Sequence, residues 1–112
     1  MSKIKVEEQI GGFVVYLKGE FIGGEETDEL RKNLKELAEG KKNKIILDMG
    51  KVTYLNSTAL GVLISAYATV TKKGGTIVLC NLDKSIENLF VITKLSTIFP
   101  IYTSIEEAIR NL

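Results

Sequence analysis

Histidine is absent from the 112-residue chain, tryptophan is absent too, and cysteine and proline occur once each. Without histidine there can be no Ser-His-Asp triad, no Cys-His pair and no His-based zinc site, and the commonest mover of protons near neutral pH is missing. A lone Cys80 rules out an intrachain disulfide, and within TIVLC it reads as a small core hydrophobe rather than a nucleophile. An excess of one charge sign is also lacking. Fifteen Lys and Arg face fourteen Asp and Glu, a net charge of +1, which supplies no field to gather a polyanion, so direct nucleic-acid binding is not expected. No apolar run approaches the about 18 residues that a membrane span needs, and MSKIKVEEQI has no apolar signal-peptide core. These absences lead us to expect a cytoplasmic protein with no membrane contact, no metal, no cofactor and no enzymatic activity.

What is present is a globular composition, 45% hydrophobic and 26% charged. Residues 1–112 are expected to form one domain that buries about two-thirds of its unfolded surface. IKVEEQI and FVVYLKG flank Gly11-Gly12 and predict a hairpin. Leu30, Leu34 and Leu37 recur at helical spacing between Glu25 and Glu39, and Gly40 supplies a stop. KIILDM, residues 44–49, is a short unbroken apolar run, as expected of a central strand covered on both faces. Leu60, Leu63, Ile64, Tyr67 and Val70 form an apolar stripe from Ser57 to Lys73, and Gly74-Gly75 ends that helix before the strand TIVLC.

Ile86, Leu89 and Phe90, with Thr93 as a candidate fourth, mark a shorter helix; IFPIY reads as an edge strand interrupted by Pro100. Ile105, Ala108, Ile109 and Leu112 define a terminal helix. This alternation predicts an α/β fold with right-handed crossovers and a mostly parallel sheet led by an antiparallel strand. Periodicity leaves open whether helices cover one sheet face or both.

No stretch matches GxxxxGK[ST], and GEFIGG lacks the spacing of GxGxxG, so Gly23-Gly24 reads as a tight lead into the first helix. Glu25, Glu26, Asp28 and Glu29 read as solvated acids of that helix's first turn. Asp48, taken to end a central strand, is compatible with a ligand site or with capping the next turn. The densest polar cluster at an element junction is TYLNSTALGVL, residues 53–63. Asn56 is a good N-cap whose side-chain oxygen can accept from the N–H of Thr58 or Ala59, with Ser57 at the first helical position. Capping accounts for Asn56 but not for two adjacent hydroxyls. A phosphate on Ser57 would bring about −1.5 to −2 charges to the positive end of a helix, worth roughly 0.3 to 1 kcal/mol per favourable interaction. On a binding surface the same charge repels an acidic partner or desolvates against an apolar one, and about 1.4 kcal/mol is a tenfold loss of affinity.

LDMGKVTYLNSTALGVLISA, residues 47–66, resembles the signature of the STAS domain of bacterial anti-sigma factor antagonists. That signature is a strand ending in Asp, a short loop with Val and an aromatic, then Asp-Ser-Ser/Thr-Gly/Ala-Leu-Gly opening a helix. KGEFIGGEETDELRKNL is similar to the family's second strand and first helix. The resemblance implies a small, mostly parallel sheet with about four helices packed mainly on one face. It also implies binding to an anti-sigma factor that is a serine kinase, release of a sigma factor, phosphorylation at the matching Ser57, and a phosphatase that restores binding. Asn56, Ser57, Thr58 and Gly61 would form the partner surface. The chain departs from the pattern at Asn56, where the family has Asp, and at Ile22, where it often has an acid. Two other readings stand beside this one: a non-phosphorylated STAS scaffold or ligand-sensing module, and, with no evident base beside Ser57 to help it, a small α/β enzyme. Oligomeric state stays open.

Overall fold

Ile4–Gln9 (β1) and Gly12–Phe21 (β2), the second rich in β-branched and aromatic residues, form an antiparallel hairpin in a computed structural model that describes residues 3–9 and 11–112. Gly11 supplies the left-handed backbone of the turn, at φ +81°. Ile10, counted in the first run from sequence, lies outside the described residues. The chain continues through Glu25–Glu39 (α1), Lys44–Leu55 (β3), Ser57–Lys72 (α2) and Thr76–Cys80 (β4), then Lys84–Ile92 (α3), a 3-10 turn at Leu95–Thr97, Ile101–Tyr102 (β5) and Ile105–Arg110 (α4). The strands stand in the order β1-β2-β3-β4-β5, and every pair after the first is parallel. This is the expected α/β architecture.

The main core lies on one face of the sheet. Val15, Leu17, Leu47, Ile77 and Leu79 meet Leu30 and Leu34 of α1, Leu63 and Val70 of α2 and Phe90 of α3. Phe99 anchors the far side, edge-on to both Tyr67 (ring centroids 5.3 Å apart) and Phe90 (6.1 Å). On the opposite face Val14, Ile46, Val78 and Cys80 pack with Ala108 of α4 and the partly buried Ile105. Three helices therefore share one face, and α4 alone backs the other. Coverage from both sides explains why the first half of β3 and all of β4 are unbroken apolar runs.

Three expectations need correction. β3 spans twelve residues, not six. Its pairing with β4 stops at Asp48, and its second half runs on beside β2 alone, from Lys18↔Lys51 to Phe21↔Leu55, as a two-stranded ribbon with polar outer positions. Ile64, placed in the α2 stripe, is 41% exposed, because α2 buries Ala59, Val62 and Ala66 alongside Leu60 and Leu63. Small side chains on that line let α2 sit close to α1. Ile109 and Leu112 are likewise exposed, since α4 is a six-residue helix that buries only Ala108.

Candidate functional site

The ribbon formed by β2 and the second half of β3 carries two loops to the same end of the molecule. Asn56 follows β3 in an extended conformation, and its N–H donates to the Phe21 carbonyl at 3.0 Å, which ties the start of α2 to the end of β2. Its Oδ1 accepts from the N–H of Ala59 at 3.0 Å, and its carbonyl accepts from the N–H of Leu60. Asn56 is thus the N-cap, and Ala59 rather than Thr58 supplies the donor. Ser57 and Thr58 occupy the first two helical positions with exposed side chains, and among the described residues neither hydroxyl has a hydrogen-bond partner. The first turn of α2 contains no acid.

The second loop, Ile22-Gly23-Gly24, is held from below. Glu26 Oε2 accepts from the N–H of Ile22 (2.8 Å) and of Gly24 (3.1 Å) and from the hydroxyl of Thr27 (2.6 Å). Fully buried Thr27 in turn accepts from the N–H of Gly23 at 2.9 Å. Sequence reading expected Glu26 to be a solvated acid of the first turn; instead its carboxylate is engaged in three hydrogen bonds. Gly24, the N-cap of α1, has no side chain and α1 has no side-chain cap bond; the Glu26 carboxylate reaches back to the N–H groups of Ile22 and of Gly24 itself and so holds the entry loop. Hydrogen bonds from Thr27 first and then the Ile22 N–H pull the Glu26 carboxyl down to about 2.

Gly23 has φ +90°, and a Cβ built there would lie 3.5 Å from Asn56 Nδ2 and 3.7 Å from Thr58 Cβ. The loop accordingly rests against the start of α2. Exposed Ile22 and Tyr54 adjoin this junction, one beside Gly23 and the other two residues before Asn56. Sequence reasoning assigned neither to a surface; the signal for Tyr54 was a large aromatic at an outward ribbon position. Thr58 and Gly61 continue along α2 into a groove of about 470 Å³ against α1, rimmed by Arg31 and Lys35 and also lined by Ser65 and Thr69. Asn56 and Ser57 lie outside that groove. Gly61 leaves open space where a Cβ would stand.

The remaining sequence candidates fall elsewhere. Asp48 does not end β3; its Oδ1 accepts from the N–H of Gly50 at 2.9 Å, the turn-capping alternative realised at an irregularity within the strand. Cys80 is fully buried, and burial, then Asp48 and Glu106, push its thiol up to about 12. No helix among the described residues is long and apolar enough to cross a membrane.

The start of α2 thus presents an exposed hydroxyl with no hydrogen-bonded base, beside a loop whose backbone is held by Glu26 and Thr27. Residues 3–108 match the sequence profile of the STAS domain. An anti-sigma F factor antagonist of Paenibacillus polymyxa is 26% identical over 98% of this chain and 94% of its own length. An anti-sigma-B factor antagonist of Bacillus subtilis is 38% identical over 72% of this chain and 73% of its own. Among solved structures, an anti-sigma factor antagonist from Mycobacterium paratuberculosis superposes with a TM-score of 0.84 at 22% identity, covering 96% of this chain and 91% of that one. The Bacillus cell fate determinant SpoIIAA in its phosphorylated form gives a TM-score of 0.76 at 18% identity, covering 96% of this chain and 97% of that one. The chain belongs to the STAS domain family, and the relatives it matches there are anti-sigma factor antagonists.

Proposed function

We propose that this protein is a cytoplasmic anti-sigma factor antagonist: it binds an anti-sigma factor that is also a serine kinase, frees a sigma factor for transcription, and loses that binding when Ser57 is phosphorylated. The observation that carries the reading is the Ser57 hydroxyl, exposed and without a hydrogen-bond partner among the described residues, at the positive end of α2. A kinase can reach it without unfolding the domain. A phosphate there is accommodated by the free N–H groups of the first helical turn, so the fold survives the modification. The same charge, set beside exposed Ile22 and Tyr54, opposes an apolar or acidic partner surface. Asn56, Ser57, Thr58 and Gly61 are the residues we assign to the contact, and a phosphatase restores it. A fold neighbour that exists in a phosphorylated form supports the reading.

The test uses an anti-sigma kinase from the same genome with ATP. Intact mass should show one added phosphate on the wild type and none on Ser57→Ala, while both unmodified proteins bind the kinase. Absence of phosphate on the wild type rejects the switch, and failure of both proteins to bind any such kinase rejects the antagonist assignment. Asn56 and Ile22, neutral where the family has acids, favour one second reading: a constitutive binder that is never phosphorylated. It predicts binding without phosphate transfer.

A further inference from the structure

The sheet face away from α1, α2 and α3 is only partly covered, because α4 packs over β3, β4 and β5. Beside it a cleft of about 640 Å³ opens over β1, β2 and β3. The strand registers place Lys5, Tyr16, Asp48, Cys80 and Tyr102 in one row across all five strands. Cys80 and Tyr102 belong to the end under α4; Lys5, Tyr16 and Asp48 line the open end. Next to this row lies a second one. Lys18 donates its N–H to the Lys3 carbonyl on one side and is the register partner of Lys51 on the other, so β2, β3 and the residue leading into β1 each present a lysine to the cleft.

Like charges on neighbouring strands repel, and the acids among the described residues offset them only in part. The ion pairs there are Arg31 with Asp28 and Lys42 with Glu8, and none of Lys3, Lys5, Lys18 or Lys51 takes part. Lys3 Nζ reaches only the Glu20 carbonyl, at 3.4 Å, and Lys5 Nζ stands 5.8 Å from the centre of the Tyr16 ring. Glu7 and Asp48 are the acids in the lining, which leaves two positive charges in excess within a chain whose total is +1. Asp48 already accepts from Gly50. Burial, followed by the charges of Glu7 and Asp48, raises the pKa of Tyr16.

We propose that this cleft binds a small organic anion of two or more negative charges with an aromatic face, its charges held by Lys3, Lys5, Lys18 and Lys51 and its ring set against Tyr16. The volume suits a small molecule, as ligand sites span about 300 to 1,000 Å³. Asn56, Ser57, Thr58 and Gly61 do not line the cleft, so this inference stands apart from the proposed partner switch.

Pyrenetetrasulfonate is the probe, titrated into the full chain and followed by fluorescence anisotropy and by amide NMR shifts, with inorganic pyrophosphate as the non-aromatic comparison. The expected result is saturable one-site binding that weakens with salt, with shifts centred on Lys5, Tyr16, Lys18, Gly50, Lys51 and Asn81. The double variant Lys18→Ala/Lys51→Ala should bind about tenfold more weakly, the effect of two partly exposed charges. It should keep or gain thermal stability, since a repulsive pair is removed, so lost binding is not lost folding. Tyr16→Leu should weaken pyrenetetrasulfonate more than pyrophosphate. Non-saturating shifts spread equally over Lys41, Lys42, Lys72 and Lys73, or unchanged affinity of the double variant, overturn the site; an equal effect of Tyr16→Leu on both anions overturns its aromatic half.

Discussion

Replacing Asn56 by Ala removes one hydrogen bond and little else. The side-chain bond to the Ala59 N–H, 3.0 Å long, is lost, while the backbone bonds of Asn56 to Phe21 and Leu60 remain. Loss of an N-cap costs about 0.5 to 2 kcal/mol, and Ala59 is fully buried, so its orphaned N–H has poor access to water and the upper half of that range applies. With an m-value of about 2 kcal/mol/M for a small domain in urea, a loss of about 1 to 2 kcal/mol lowers the unfolding midpoint by roughly 0.5 to 1 M at unchanged slope. Asn56→Asp keeps the acceptor and adds a charge to a helix start that has no acid, for a gain of about 0.3 to 1 kcal/mol. Salt separates the two effects: 1 M NaCl should erase most of the Asp gain and leave the Ala loss intact. Equal midpoints for Ala and wild type would refute the cap, and an Asp variant less stable than wild type at low salt would refute the positive helix end.

Ser57→Asp should weaken association with the anti-sigma kinase at least tenfold while leaving the unfolding free energy within about 0.5 kcal/mol of wild type, as expected for an exposed substitution; surface plasmon resonance and urea melts measure both. Glu26 has its folded pKa pulled from 4.5 down to about 2, so its bonds to the entry loop and Thr27 contribute fully above pH 4.5 and are lost as the pH falls toward 2. Glu26→Gln should be less stable at neutral pH and should show a smaller drop in melting temperature between pH 5 and pH 2 than wild type, checked by calorimetry. Cys80, buried with its thiol pushed up to about 12, should resist a disulfide reagent at pH 8 until urea unfolds the chain. Leu63→Ala should cost about 2 to 5 kcal/mol and Ile64→Ala should cost less, since Leu63 is fully buried and Ile64 is 41% exposed; urea melts rank the two.

The elements that the sequence discloses are those whose signals are local. Leu30 and Leu34 lie one turn apart and both are buried, so α1 is legible; so is the Asn56 cap, because an Asn before an apolar helix has one obvious use. The second half of β3 is not, because Gly50 and Lys51 break the apolar pattern exactly where β4 stops covering the strand and only β2 remains beside it. Glu26 hides for a different reason: a carboxylate in the first turn looks the same whether it faces water or reaches back, and only a Gly at the N-cap hints that it must reach back. The lysine row is beyond sequence reading altogether. Lys3, Lys18 and Lys51 meet only through an antiparallel turn and a parallel register that shifts within β2 and β3.

The same locality clarifies the departure at Asn56. A cap needs an oxygen that accepts from the Ala59 N–H, and the amide supplies it without charge. Every donor left free at the start of α2 then faces a surface with no acid in its first turn, so a phosphate on Ser57 would meet the positive helix end undivided. With Asp as the cap, the same phosphate would stand beside an existing negative charge and gain less from the helix. The unmodified helix start, conversely, carries no acid of its own beside exposed Ile22 and Tyr54. Under the proposed switch, neutral capping would widen the difference between the two states of Ser57: contact before phosphorylation would have no charge of the cap to desolvate, and contact after it would have to desolvate about −1.5 to −2. The substitution that looks like a loss of the family's acid is, on these terms, compatible with a sharper switch.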